Sequence, residues 1–217
     1  MVDLGCGYGG VTRFVADYFD IPEAYGMDMN DERMPIAKSR GITVFKNDMN
    51  RDTLPFPDKH FGLVTSFGLL EHLIYSDNAL SEAHRVLEDD GYFVMAHPNL
   101  GSYVNGIAIL LGYQPRNVEV SCRFSPRLLP GIPKGPIAHL HTATLRSMKE
   151  LMQCLAFHIV GAVGSSPFRA NPMVDALDRV TVFIPSLSRR FMIVAKKQPM
   201  RRHREWSAVS CGMLSWI

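Results

Sequence analysis

Val2-Asp3-Leu4-Gly5-Cys6-Gly7-Tyr8-Gly9-Gly10 joins a short apolar run to a segment in which Val11, Phe14, Val15 and Tyr18 recur at helical spacing. The stretch therefore reads as strand, glycine loop, helix. Gly5 and Gly7 let the backbone turn tightly and lie against a ligand, and the helix that follows turns its free N–H groups toward it. Gly5, Gly7 and Gly10 also satisfy the dinucleotide pattern GxGxxG, so the loop alone leaves the ligand open. Asp3, two residues before the first glycine, suits a cationic ligand better than a pyrophosphate, which it would repel. Gly9 adds an alternate glycine.

Outward from the loop, strands and helices alternate. Ala24–Met29 reads as a second strand ending in Asp28, where an acid can accept hydrogen bonds from a ribose. Asp31–Arg40 is a short helix with Pro35 in its first turn and Gly41 placed to cap its end. Ile42–Phe45 is a third strand leading to Asn47-Asp48-Met49. Asp48 there can accept from an exocyclic amine, and Met29 and Met49 can pack on the faces of a purine or simply fill the core. Asp52–Lys59 is a loop, Phe61–Phe67 a strand free of charge, and Asp77–Leu87 a helix with Gly91 as its stop. Tyr92–Ala96 is a fifth strand. The rhythm predicts an α/β fold with a doubly wound, mostly parallel sheet. Thr144 is expected to cap a further helix, followed by a strand at His158–Val163, a polar connection, and a last strand at Phe191–Ala195.

These residues resemble those of class I S-adenosylmethionine-dependent methyltransferases. Val2 to Gly9 is similar to the family's first motif. Leu54-Pro55-Phe56-Pro57-Asp58-Lys59-His60-Phe61 resembles the loop before its fourth strand. Leu70-Glu71-His72-Leu73, with Arg85-Val86-Leu87 and Gly91, resembles the "type 11" branch. The resemblance runs from Met1 to about Pro98 and more weakly from His139 to Lys196. It implies a Rossmann-like sheet of seven strands with the last antiparallel, and S-adenosylmethionine as cofactor. Carried over by position, it implies Asp3 and the Gly5-Cys6-Gly7 turn around the methionine moiety and Asp28 at the ribose. Asp48 and Met49 fall at the adenine, and Phe67 contributes its backbone; Met29 joins the candidate cofactor contacts from its position after Asp28, not from the resemblance.

The chain reads as a methyltransferase domain over residues 1–198, with an insertion over 99–140 where the family builds its acceptor pocket; the tail over 199–217 shows no useful period and is expected to be disordered. The resemblance also implies further family residues ahead of the first strand, whereas Met1 starts inside that strand. That departure predicts a fragment with weak cofactor affinity. A second departure is Ala156, where the family often carries glycine; the change is mild only if φ is negative there.

The remaining residues bound the chemistry. A net charge of +2 over 217 residues gives no ground to expect nucleic acid as a partner. Four scattered cysteines without a CxxC pair suggest neither a disulfide framework nor a zinc site, and point to a reducing, cytoplasmic setting. No apolar run is long enough to span a bilayer. Glu71, His72 and His97 fall near the carboxyl ends of the fourth and fifth strands, and His97 and His72 are the candidate general bases. His139 and His141 form an HxH without an evident third ligand, so no metal is expected. The insertion, with Tyr103, Asn105, Tyr113, Arg116, Arg123 and Phe124 beside an apolar helix, suggests a small-molecule or lipid- or glycan-linked acceptor. Two other readings stay open: a non-catalytic protein that keeps the fold, and an NAD-type oxidoreductase, against which Asp3, Gly9 and the Leu70–Leu73 motif count.

Overall fold

The computed structural model describes residues 1–119, 121, 138–165 and 172–199. Five strands, β1 (Val2–Leu4), β2 (Tyr25–Asp28), β3 (Thr43–Lys46), β4 (Phe61–Phe67) and β5 (Leu87–Pro98), run parallel in one sheet. Between them lie helices α1 (Gly10–Tyr18), α2 (Met34–Ser39) and α3 (Ser76–Val86). After the insertion, which carries α4 (Tyr103–Leu110), come α5 (Leu145–Cys154), β6 (Phe157–Ser165), α6 (Pro172–Thr181) and β7 (Arg190–Lys197). The strand order is β3-β2-β1-β4-β5-β7-β6, and β7 slots antiparallel between β5 and β6. The order reverses between β1 and β4, which opens a crevice at the carboxyl ends of these strands, the usual ligand position in such sheets.

Burial explains the arrangement. Val2 and Leu4 of the central strand are fully enclosed, and Met27, Val64, Phe93, Met95, Phe191 and Ile193 continue the same core across the sheet. The helix α3 presents Ala79, Leu80, Ala83, His84 and Val86 to it. The loop before β4 is held by Arg85, which donates to the carbonyls of Leu54 and Phe56 and to the carboxylates of Asp58 and Glu82. That explains why an arginine accompanies the Leu-Pro-Phe-Pro-Asp stretch. Gly41 closes α2 at φ 75°, as its sequence position predicts. The Thr144 hydroxyl accepts from the Ser147 amide and caps α5 as expected.

Two elements differ from the sequence reading. Gly91 does not stop α3. The helix ends at Val86, Leu87 already pairs with Phe61, and the left-handed residue is Asp90 at φ 63°. Gly91 is instead needed because a Cβ there would lie 2.9 Å from the Glu88 carbonyl. The connection between β6 and β7 contains α6. The expected tail over 199–217 lies, after residue 199, outside the described residues, as do Arg123 and Phe124.

Ala156 precedes β6 at φ 61°, the strained side of the alternative posed by the sequence. An L-residue there costs roughly 1–2 kcal/mol, and glycine gives back about 0.5–1 kcal/mol through its freer unfolded state. Ala156→Gly is therefore expected to stabilise the fold by about 0.5–1 kcal/mol and raise the melting temperature by about 2 °C. An unchanged or lower melting temperature would show that the neighbourhood compensates for the strain.

Candidate active site

The glycine loop leaves β1 and is locked to β2. The amides of Gly5 and Cys6 both donate to the Met27 carbonyl, and the Gly7 amide donates to Asp28 Oδ2 at 2.8 Å. Asp28 Oδ1 accepts from the Asn30 amide at 2.8 Å, so the half-buried carboxylate is oriented from both sides. The three glycines have separate reasons. Gly5 and Gly9 sit at φ 77° and 74°, and a Cβ would press on Leu69 and Ile42 respectively. Gly7, at φ 54°, faces open space with nothing within 4 Å of a Cβ. No packing demand fills that space, so it is available to a ligand.

Asp3 is 2% exposed and accepts hydrogen bonds from Thr12 on α1 and Thr65 on β4. It staples loop, helix and strand together. Burial pushes its carboxyl up, the two hydroxyls pull it down, and the charge of Asp28 pushes it up again. The Cys6 thiol is pushed up to about 12, first by burial and then by the charges of Asp3 and Asp28. It stays protonated at neutral pH and fills the gap over Gly26, where a Cβ would meet its sulfur at 2.5 Å.

Asp48 follows β3 half-buried, accepting from the amide and side chain of Asn50 and pairing with Arg51. The Asn50 hydrogen bonds hold its carboxyl low. Met29 is exposed, while Met49 is buried in the main core. Phe67 ends β4 half-buried, next to Gly68 at φ 80°.

The candidate bases differ sharply. His97 is 1% exposed, stacks on Phe191, and bonds through Nδ1 to the Pro98 carbonyl at 2.7 Å. Burial lowers its pKa, so the ring is neutral at pH 7. His72 is exposed on the 3-10 turn Leu70–His72, with Nδ1 3.0 Å from the Ala138 carbonyl. His141 bonds to the Ile74 carbonyl through Nε2.

Beside this crevice the insertion builds a cleft of about 230 Å³ against β5, lined among others by Glu71, Asn105, Arg116, His139, Arg189 and Arg190. Its frame is a chain of amides. Asn99 Nδ2 donates to the carbonyls of Ser186 and Ser188, Asn105 Nδ2 donates to the Asn99 carbonyl, and Asn105 Oδ1 accepts from the Arg116 amide. Asn99 also forms a bridge with Ala143, so the insertion returns to the edge it left. Sequence reasoning found Asn105 and Arg116 but not Asn99, Arg189 or Arg190. The available signal was two adjacent arginines at the entrance of an apolar strand.

Residues 2–95, from β1 through most of β5, match the family model described as a methyltransferase domain. Over this stretch the chain is similar to class I S-adenosylmethionine-dependent methyltransferases. The fatty-acid O-methyltransferase of Mycolicibacterium smegmatis is 31% identical over 98 residues, which cover 43% of this chain and 35% of that protein. The chain thus spans about a third of that curated relative. Among solved structures, a chain of the complex between the Haloferax volcanii Trm112 methyltransferase activator and its methyltransferase has a TM-score of 0.64 at 14% identity, covering 91% of this chain and 82% of that one. An S-adenosylmethionine-dependent methyltransferase from Mesorhizobium loti gives 0.58 at 18% identity, with 90% and 89% covered. At such identities the structures establish the fold.

The crevice suits S-adenosylmethionine on its own geometry. Gly7 leaves room for a ligand against the backbone, and Asp28 presents a held carboxylate at the mouth. Among the described residues, no helix is long and apolar enough to cross a membrane.

Proposed function

We propose that the chain transfers a methyl group from S-adenosylmethionine to a carboxylate carried on an apolar body, seated in the cleft beside α4. The observation that carries this reading is Arg116. Its guanidinium is half-buried in the cleft, where burial first and the nearby Arg189 second lower its pKa. No carboxylate pairs with it among the described residues. A partly desolvated cation of this kind favours an anionic partner, and arginine matches a carboxylate in a two-bond fork. Ile107, Ile109 and Leu110 of α4 are exposed nearby and offer apolar surface to the rest of such an acceptor. The fatty-acid activity of the Mycolicibacterium relative agrees with this chemistry.

When bound, the sulfonium supplies an activated methyl group. Asp28 would take the ribose, with Asp48, Met29 and Met49 toward the adenine and Phe67 at the end of β4. The turn Gly5-Cys6-Gly7, backed by Asp3, would hold the methionine moiety. The protein's work is then in-line positioning. A carboxylate is ionised at neutral pH, so transfer to it needs no general base, and the buried His97 need not leave its stack. Were the acceptor protonated, the exposed His72 would be the more accessible candidate.

Tritiated methyl transfer to a long-chain fatty acid tests this reading. Arg116→Met is expected to lower transfer by about 10-fold or more while S-adenosylhomocysteine binding is unchanged. Deleting the insertion should abolish transfer and likewise spare cofactor binding. Equal loss of transfer and cofactor binding would contradict an acceptor role.

A further inference from the structure

We infer that Glu71, His72 and His139 form a binding site for a divalent transition-metal cation of the zinc class. Glu71 and His72 are neighbours in the sequence and His139 lies far along it, and the structure brings one ligand atom from each to within 4.8 Å of the others. The contact is built by the backbone. The Glu71 carbonyl accepts from the amides of Leu140 at 2.7 Å and His141 at 3.1 Å, which lays the HxH segment along the 3-10 turn. The rings of His72 and His139 then meet edge to face at 4.8 Å.

Two further observations point to a cation. Glu71 is 2% exposed, and its Oε2 is buried with no hydrogen-bond partner. A buried carboxylate oxygen in that state is costly unless something positive or donating reaches it. His72 is also oriented as a ligand. With Nδ1–H donating to the Ala138 carbonyl, Nε2 carries the lone pair, the arrangement that fixes the tautomer of metal-bound imidazoles. Two imidazoles and one carboxylate are a common donor set for zinc and iron-type ions. Ligand bonds of about 2.0–2.2 Å require the three side chains to close together by roughly an ångström. Glu71 and His139 also line the acceptor cleft, so the remaining coordination positions open toward it. The competing account is that Arg190, whose guanidinium shares the Gly68 neighbourhood with Glu71, serves as the carboxylate's counter-ion.

Titration of the metal-stripped chain with Co²⁺, followed by its visible ligand-field absorption, separates the two. The reading predicts one tight equivalent with absorption that Zn²⁺ displaces. Glu71→Gln and His139→Ala should each weaken binding at least 10-fold, and His158→Ala, on the exposed face of β6, should not change it. His72→Ala removes an exposed ligand and serves if Glu71→Gln fails to fold. Absence of the absorption, or absorption unaffected by His139→Ala and His72→Ala, would overturn the site and leave Arg190 as the partner of Glu71. The readout is metal binding, so it stands apart from whether methyl transfer to a fatty acid is observed.

Discussion

Asp28→Ala is expected to weaken binding of S-adenosylmethionine and its demethylated product by about 100-fold or more. Two hydrogen bonds to a charged acceptor, at about 1.5–3 kcal/mol each, set that scale. The substitution acts twice. It removes the acceptor offered to the ribose, and it releases the Gly7 and Asn30 amides that Asp28 now holds. Asn is not a gentle replacement, because its NH2 group would face one of those two N–H donors. Calorimetry on the parent and Asp28→Ala chains measures the binding loss, and thermal unfolding without ligand measures how much belongs to the loop. Parent-like affinity in Asp28→Ala would remove Asp28 from the site.

Asp178→Ala carries the largest expected effect on stability. Asp178 of α6 and Arg189 at the entrance of β7 are each 6% exposed at the side chain and bonded through Arg189 Nε and Nη2. The Tyr103 hydroxyl of α4 donates to the same carboxylate at 3.0 Å. Burial, then that hydrogen bond and the Asp178 charge, push the Tyr103 phenol up to about 12. The pair thus joins α4, α6 and β7 behind the cleft. Removing the carboxylate breaks this buried pair, at a cost of about 3–5 kcal/mol. For a chain of this size that lowers the melting temperature by roughly 10 °C. Replacing both partners, Asp178→Leu with Arg189→Met, is expected to recover most of the loss, because a matched apolar pair leaves no buried charge. If the double substitution is as unstable as the single one, the cost lies in packing rather than in the broken pair.

The parallel half of the sheet was legible because each strand there is punctuated locally. Glycine follows β1, Asp28 ends β2, and proline closes β5. The glycine loop and the acid after it could be placed from spacing alone. The start of β5 was not legible, because Leu87-Glu88-Asp89-Asp90 has the composition of a helix end and turn. It extends only because Leu87 finds Phe61 across a register shift. The helix α6 was hidden by Asp175, Asp178 and Arg179, which give its sequence a polar look although one of them is buried in an ion pair. Two site features depend on tertiary contact and have no local signature. One is the enclosure of Asp3, a residue its position marked out but whose carboxylate is held by hydroxyls from α1 and β4. The other is the third member of the histidine cluster, since Glu71 and His139 meet only when the insertion folds back.

The central claim is that the crevice at Gly7 and Asp28 recognises S-adenosylmethionine rather than a nicotinamide dinucleotide. It is tested most directly by titrating ¹⁵N-labelled protein with S-adenosylhomocysteine and, separately, with NADH, into the millimolar range. The predicted result is that the amide resonances of Gly7, Asp28 and Phe67 move with S-adenosylhomocysteine and stay in place with NADH. Movement with NADH alone, or no movement of these three with S-adenosylhomocysteine, would contradict it.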